Sequence, residues 1–167
     1  MTDKELLEQA REAAKNSYSN YSHFRVGAAL LSADGQVFLG CNIENASYSP
    51  TNCAERTAVF KAVSKGEREF AAIAIVGGPE KGPLVYATPC GVCRQVLSEF
   101  CPPDFRILLG QEDGDIREFT LKELLPESID LISGPGCPVC VTAVGFIDEA
   151  CWLALEKGCI ICTFGDK

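Results

Sequence analysis

Apolar residues follow helical spacing in three segments of this chain. The first segment, 3–18, carries five of them on one side of a predicted amphipathic helix: Leu6, Leu7, Ala10, Ala13 and Ala14. The second, 52–65, has the same spacing and is predicted to begin after an N-cap at Thr51 or Asn52, which places Cys53 in the first turn. The third, 90–100, ends at a Cys-Pro-Pro sequence that cannot continue a helix.

Short apolar runs between these helices are typical of strands. The runs 26–31 and 37–43 flank Asp34-Gly35, a hairpin signal, and further strands are predicted at 71–76, 106–109 and 116–120. A strand, a helix and a strand in succession favour a parallel crossover, whereas the first pair is antiparallel. The sequence predicts an α/β fold, namely a three-layer α/β/α sandwich with a mixed five-stranded sheet.

Length and charge limit the classes of function. The 167 residues suit one domain with perhaps a small appendage, and a formal net charge of −8 argues against a general nucleic-acid binder. No apolar run approaches the roughly twenty residues of a membrane span, and the first residues do not open a signal peptide. We therefore expect a cytoplasmic protein with no membrane partner, in which the ten cysteines are metal ligands or free thiols.

Two short motifs carry the candidate chemistry. Cys-Ala-Glu occupies 53–55 and Pro-Cys-Gly-Val-Cys occupies 89–93. Three thiolates, from Cys53, Cys90 and Cys93, would leave one open position on a tetrahedral zinc ion, where bound water has its pKa lowered from 15.7 to about 7. Glu55 follows closely enough to shuttle protons, and the order of residues matches the zinc-deaminase signature with cysteine in place of histidine. The alternative is a set of buried free cysteines beside a solvated Glu55.

Two arginines follow the cysteines directly. A zinc ion with three thiolates has a formal charge of minus one, which makes its bound water less acidic. Arg56 and Arg94 could hydrogen-bond the sulfurs and offset that charge. The alternative is that both arginines are exposed surface residues.

Residues 21 to about 128 closely resemble the short, homotetrameric, zinc-dependent cytidine deaminases. The matching sequences are SHFRVGAAL at 22–30, NIENASY at 42–48, CAER at 53–56 and PCGVCRQ at 89–95. The resemblance implies a catalytic domain over 1–128 that holds one Zn²⁺ and acts in pyrimidine salvage. It implies that cytidine and deoxycytidine become uridine and deoxyuridine, with zinc hydroxide attacking C4, Glu55 carrying protons and ammonia leaving.

The resemblance also implies a set of substrate contacts. Phe24 would stack on the pyrimidine, Asn42 and Glu44 would hold the ribose 3′-hydroxyl, and Ala54 would line the substrate site. Ala46 and Tyr48 would reach the site of a neighbouring subunit. From the residues alone, Phe24 could equally be a core aromatic, and Asn42 and Glu44 could simply face water at a strand end.

Three positions need separate comment. Val92 stands where the family usually has alanine, and Ile129 stands in register with a phenylalanine that lines the family's site. The resemblance then implies a site that lacks one ring of the family's aromatic cage, which puts the affinity for substrate in doubt. His23 is the only histidine, and no role is predicted for it.

A cysteine-rich extension is predicted over 129–167. Its GPGCPVCVT at 134–142, Ile-Asp at 147–148 and TFGD at 163–166 resemble an internal segment of the hydrogenase maturation protein HypD. The other cysteine motifs and the iron–sulfur region of that family are missing, so hydrogenase maturation is not implied. Pairs at 137/140 and 159/162, with eighteen residues between them, also fit a second, structural zinc site, while inert thiols and a redox dithiol remain open.

Three classes of function follow. A deaminase of free nucleosides is favoured because its site is complete. A deaminase of nucleoside analogues or of nucleic-acid cytosine is the alternative, although the acidic chain shows no basic strand-binding surface. The third is a metal-binding scaffold built on the tail cysteines, which would keep its metal when Cys53 is removed.

Overall fold

Three helices and five strands make up the computed structural model over the residues that it describes, 1–47 and 49–125. Their bounds are α1 Asp3–Ala14, β1 Phe24–Ser32, β2 Val37–Cys41, α2 Ala54–Ser64, β3 Phe70–Pro79, α3 Gly91–Phe100, β4 Arg106–Gly110 and β5 Ile116–Thr120, followed by a 3₁₀ turn at Lys122–Leu124. The predicted elements are confirmed in type and order, although α1 ends four residues earlier than expected, at Ala14 rather than at residue 18. Within the described ranges, no helix has the length and apolar character needed to cross a bilayer.

The five strands form one mixed sheet in the order β2-β1-β3-β4-β5. The hairpin pairs β1 with β2 in antiparallel fashion, and β1 is also antiparallel to β3. The β3 and β4 strands are parallel and are joined through α3, while β5 returns antiparallel to β4. The expected mixture of an antiparallel hairpin and a parallel crossover is therefore confirmed.

Alternate residues of the central strands enter two separate apolar cores. Ala29, Ala74 and Leu108 point to the face that α1 covers. Their neighbours Leu30, Ile75 and Leu109 point to the opposite face, which packs against α2 and α3. This alternation, with apolar side chains on both faces, is what a strand covered by helices on two sides requires. The three-layer α/β/α arrangement follows from it.

Two glycines let helices approach the sheet at backbone distance. A Cβ atom on Gly27 would lie 2.0 Å from the carbonyl oxygen of Ala10 in α1, and one on Gly40 would lie 2.2 Å from that of Ala54 in α2. Neither position can accept a side chain without moving the helix. Gly40 thus sets the height of α2 over the sheet, and α2 is the helix that carries Glu55.

The predicted boundary between residues 128 and 129 falls outside the described residues, as do Ile129 and all tail cysteines. The two-domain division of the chain therefore stays a prediction. The described residues all belong to one unit, Met1–Ile132.

Candidate metal centre and active site

Three cysteine thiols meet at the starts of α2 and α3. The Sγ atoms of Cys53, Cys90 and Cys93 all lie within 4.8 Å of one another. Cys90 Sγ is 3.9 Å from Cys53 Sγ and 3.5 Å from Cys93 Sγ. Tetrahedral zinc with bonds of about 2.3 Å spaces its sulfur ligands about 3.8 Å apart, so these distances fit a zinc ion. The cluster could hold a metal with three protein ligands and one open position.

Two of the thiols lie at helix N-caps. Cys53 caps α2 and Cys90 caps α3, both in extended backbone conformation and both without a side-chain capping hydrogen bond among the described residues. Cys93 is the third residue of α3. Helix N-termini carry partial positive charge and stabilise thiolates. Because both helices begin on the same face of the sheet, their positive ends converge on the three sulfurs.

The predicted N-cap of α2, at Thr51 or Asn52, is wrong. The hydroxyl of Thr51 accepts the N–H of Asn45 at 3.0 Å, and the Asn52 amide donates to the Thr57 hydroxyl at 3.1 Å. The backbone of Asn52 also pairs with Ile43 through two hydrogen bonds of 2.9 Å each. Both side chains are committed elsewhere, so the helix begins one residue later, after Cys53.

Glu55 is buried beside the thiols, with only 4% of its surface exposed. It lies in the first turn of α2, two residues after Cys53. Burial raises the pKa of Glu55 to about 7, and the negative charge of Cys53 adds to that increase. A carboxyl in this environment can hold or release a proton near neutral pH.

Arg56 contacts the thiol cluster through a hydrogen bond to Cys53. Its Nη2 atom donates to Cys53 Sγ at 3.6 Å and to the Thr51 carbonyl at 3.2 Å, and its buried Nε has no partner among the described residues. Hydrogen bonds from Cys93 and Arg56 lower the pKa of Cys53 to about 5, and the bond to Cys53 raises the pKa of Cys93. Negative charge in this cluster is therefore balanced by a guanidinium.

Arg94 contacts backbone carbonyls. Its Nε donates to the Pro89 carbonyl at 2.9 Å, and its Nη1 donates to the Leu124 carbonyl. These bonds tie the start of α3 to the 3₁₀ turn near the end of the described chain. Arg94 thus holds Cys90 in place through the adjacent Pro89.

A second group of predicted residues gathers at the end of β2. Asn42 follows β2 directly, and its Oδ1 accepts the N–H of Val26 at 2.8 Å and the hydroxyl of Ser17. Its Nδ2 donates to the Phe24 carbonyl at 2.9 Å. Glu44 accepts the N–H groups of Tyr21 at 2.9 Å and Ser22 at 3.2 Å through Oε2. The start of β1 and the segment before it therefore hold these two polar side chains.

The ring of Phe24 is half-buried and close to Gly77, where an added Cβ would lie 3.1 Å from ring atom Cε1. The same Cβ would lie 2.7 Å from the Cβ of Ala87, three residues before Cys90. The Ile43–Asn52 bridge links Asn42 and Glu44 to the residue before Cys53. The aromatic ring and the polar pair therefore belong to chain segments that lead directly to the thiol cluster.

The remaining candidate residues have varied positions. Ala54 is fully buried at the start of α2, and Ala46 is exposed in a turn. Tyr48 lies outside the described residues. Val92 lies between Cys90 and Cys93 along the chain and has 49% of its surface exposed. Their predicted contacts with substrate or a neighbouring subunit stay predictions.

Two features of the site were missed in the sequence. Ser17 lies within the helix predicted over 3–18, but α1 ends at Ala14, and the Ser17 hydroxyl donates to Asn42. His23 adopts a φ of +54°, and its carbonyl accepts the Glu80 N–H at 2.8 Å. Only the rarity of positive φ outside glycine marks such a residue, and sequence does not reveal it.

Comparison with known proteins agrees with this geometry. Residues 1–109 match the family model described as the cytidine and deoxycytidylate deaminase zinc-binding region. The cytidine deaminase of Halalkalibacterium halodurans is 53% identical over 121 residues, which cover 72% of this chain and 89% of the relative. That of Sporosarcina psychrophila is 51% identical over 126 residues, covering 75% and 90%. The chain belongs to the cytidine deaminases, a family of zinc-binding hydrolases.

Solved structures support the same assignment. The crystal structure of cytidine deaminase from Burkholderia pseudomallei has 49% sequence identity and a TM-score of 0.69, and the match covers 77% of this chain and all of that one. The cytidine deaminase from Mycobacterium tuberculosis gives 39% identity and a TM-score of 0.65, with 78% and 100% coverage. The predicted fold and enzyme class are confirmed.

The predicted resemblance of the C-terminal region is also confirmed. A second family model, described as the hydrogenase formation hypA family, matches residues 102–167. The match begins well before the predicted extension at 129–167, and therefore includes β4 and β5. These two strands pair with each other, and β4 pairs with β3, within the single five-stranded sheet.

Proposed function

We propose that this chain hydrolyses cytidine and deoxycytidine to uridine and deoxyuridine, using one zinc ion held by Cys53, Cys90 and Cys93. The observation that supports this most is the placement of three thiols within 4.8 Å of one another beside the buried Glu55. Bound zinc would supply Lewis-acid activation of water, lowering the water pKa from 15.7 to about 7.

Glu55 moves the protons of the reaction. Its carboxylate accepts a proton from the attacking water as the new C4–O bond forms. It gives this proton to N3 of the ring, then accepts the remaining proton of the new C4 hydroxyl and gives it to the amino nitrogen. The C4–N bond breaks as the C4=O bond forms, and ammonia leaves. Burial of Glu55 excludes bulk water from this transfer, and Arg56 offsets the charge of the sulfur that it contacts.

The second group of residues binds the nucleoside. Asn42 has one side-chain N–H beyond the bond to Phe24, and Glu44 has one oxygen, Oε1, beyond that which accepts from the backbone. A donor and an acceptor together suit a ribose 3′-hydroxyl, which both accepts and donates. The Phe24 ring stacks on the pyrimidine, and Ala54 lines the site. Ribose and deoxyribose can both bind, because these contacts do not involve the 2′ position of the sugar.

The finer biological assignments follow from the same family. The enzyme acts in pyrimidine salvage in the cytoplasm, as a homotetramer in which Ala46 and Tyr48 reach the site of a neighbouring subunit. Residues 1–128 form the catalytic domain. The extension 129–167 takes no part in the chemistry, because every proposed ligand and Glu55 precede it.

Replacement of Glu55 by glutamine tests the proposal. Glu55→Gln preserves shape but cannot carry a proton, so turnover of cytidine falls by about 10²–10⁴-fold or more while zinc stays bound. The measurements are uridine formation by absorbance and zinc per chain by atomic emission. Glu69→Gln, at an exposed carboxylate before β3, is the matched control and keeps normal turnover. Near-normal activity of Glu55→Gln would overturn the assigned role.

A further inference from the structure

We propose that Ser17 is a positioning residue that restricts Asn42 to donating a hydrogen bond to the sugar of the substrate. Ser17 lies three residues after the end of α1 and is not one of the residues expected to touch substrate. The inference rests on the proposed function, in which Asn42 contacts the ribose 3′-hydroxyl. It explains why Asn42 donates a hydrogen bond to that hydroxyl and does not accept one from it.

Three hydrogen bonds hold the Asn42 side chain. Its Oδ1 accepts from the Val26 N–H at 2.8 Å and from the Ser17 hydroxyl, and its Nδ2 donates to the Phe24 carbonyl at 2.9 Å. The β1 backbone alone fixes which end of the amide is oxygen, because a flipped amide would place N–H against N–H and oxygen against oxygen. The Ser17 hydroxyl adds a further restraint on the side chain, because it donates to the second lone pair of Asn42 Oδ1.

An asparagine side chain has two acceptor lone pairs and two donor hydrogens. Val26 and Ser17 use both lone pairs, and Phe24 uses one hydrogen, so a single N–H is left for a ligand. Without the Ser17 hydroxyl, Asn42 would regain an acceptor and lose one of three restraints on its orientation. The serine therefore makes Asn42 a pure donor toward the substrate.

The backbone around Ser17 also keeps this contact in register with Glu44. The neighbouring Tyr18 donates its N–H to the Asn42 carbonyl at 3.0 Å and accepts the Glu44 N–H at 2.8 Å. The Glu44 carboxylate can only accept when ionised. Asn42 as a pure donor and Glu44 as a pure acceptor select a group that does both, which is a hydroxyl rather than a hydrogen or a methyl ether.

The test compares two substrates in matched variants. The quantity measured is kcat/KM for cytidine divided by kcat/KM for 3′-deoxycytidine, which isolates the 3′-hydroxyl contact. Ser17→Ala lowers this ratio about fivefold, the size of one neutral hydrogen bond, with most of the change in KM. Ser17→Thr retains a hydroxyl and keeps the ratio within about twofold of the wild-type value.

Two further variants make the result interpretable. Asn42→Ala shows that the ratio reports the Asn42 contact and lowers it at least as far as Ser17→Ala. Ser32→Ala removes another hydrogen-bonded hydroxyl at the hairpin turn, where Ser32 bonds to Asp34 and Gln36, and controls for a general loss of stability. It leaves the ratio unchanged.

The outcomes separate this inference from the proposed function. A Ser17→Ala variant that loses equal activity on both substrates, or none, overturns the positioning role while cytidine deamination by the wild type stands. An Asn42→Ala variant with an unchanged ratio overturns the role as well, because the contact that Ser17 would direct is then absent. Failure of the wild-type protein to deaminate cytidine would instead reject the proposed function.

Discussion

The start of α1 and the starts of α2 and α3 solve the same physical problem in different ways. At α1, the Thr2 hydroxyl accepts the Glu5 N–H at 3.3 Å and the Glu5 carboxylate accepts the Thr2 N–H at 2.7 Å, which forms a complete capping box. At α2 and α3 the N-cap residues are Cys53 and Cys90, without side-chain capping bonds among the described residues. The helix end that only needs stability has a good cap.

The comparison extends to the two faces of the sheet. The α1 face contains a purely apolar core. On the α2 and α3 face, next to an equally apolar core, lie the three thiols and the buried Glu55. The α1 face thus contributes to stability alone. On the other face, two helices begin without a side-chain capping bond among the described residues, and a carboxylate is buried, which creates a reactive site. Functional sites commonly break local rules of stability in this manner.

The largest expected effect comes from giving α2 a better cap. Cys53→Ser removes a soft zinc ligand, so the variant loses cluster zinc and all measurable cytidine turnover. Serine caps helices well, so the free energy of unfolding of the chelator-treated protein stays equal or rises by up to about 1 kcal/mol. Zinc per chain, turnover and urea unfolding are measured on the wild type and the variant.

Cys101→Ala is the control for this experiment, because Cys101 is a buried thiol at the other end of α3. It should cost stability through lost packing but leave zinc and turnover in place. If Cys53→Ser kept its zinc and its activity, Cys53 would not be a ligand and the contrast between the helix starts would have no chemical meaning.

A smaller effect is expected from the pH dependence of stability in the metal-free protein. Burial raises the pKa of Glu55 from its ordinary value of 4.5 to about 7, so the folded state binds the proton more tightly than the unfolded state. The stability from this group is present below pH 4.5 and is lost as pH rises through about 7. The glutamine of Glu55→Gln does not titrate. The free energy of unfolding of this variant should therefore exceed that of the wild type by about 3 kcal/mol above pH 7.

Urea unfolding of both chelator-treated proteins between pH 4.5 and pH 8 measures this difference. The advantage of Glu55→Gln must grow with pH across that window. The control Glu69→Gln changes stability by less than about 0.5 kcal/mol at each pH. A constant difference, or one that shrinks as pH rises, would show that the burial of Glu55 does not oppose its ionisation.

The smallest effect is expected from the reverse substitution at α1, in which a cysteine replaces the capping residue. Thr2→Cys replaces the capping hydroxyl with a thiol and should lower the free energy of unfolding by about 1 kcal/mol. Cytidine turnover and zinc content should stay unchanged, because α1 covers the face of the sheet opposite to the site. A marked loss of activity without loss of folded protein would show that the two faces are coupled.

Sequence patterns predicted most of this architecture because both strand faces and one side of each helix are apolar. The thiol cluster was predictable too, since the spacing of Cys90 and Cys93 places both in one helical turn. The cap of α2 was not, because Asn45 and Thr57 compete for the side chains of Thr51 and Asn52. Ser17 was missed for a similar reason, since its partner lies 25 residues away and only the fold brings them together.

Zinc content and cytidine turnover, measured on the same preparation of the full chain, test the central claim most directly. Gradual removal of zinc with a chelator should lower turnover in proportion to the zinc lost from the thiol cluster, and re-addition of zinc should restore it. Cys53→Ser, treated in parallel, shows which fraction of the zinc belongs to that cluster. Full cytidine turnover in protein from which the Cys53-dependent zinc has been removed would contradict the account.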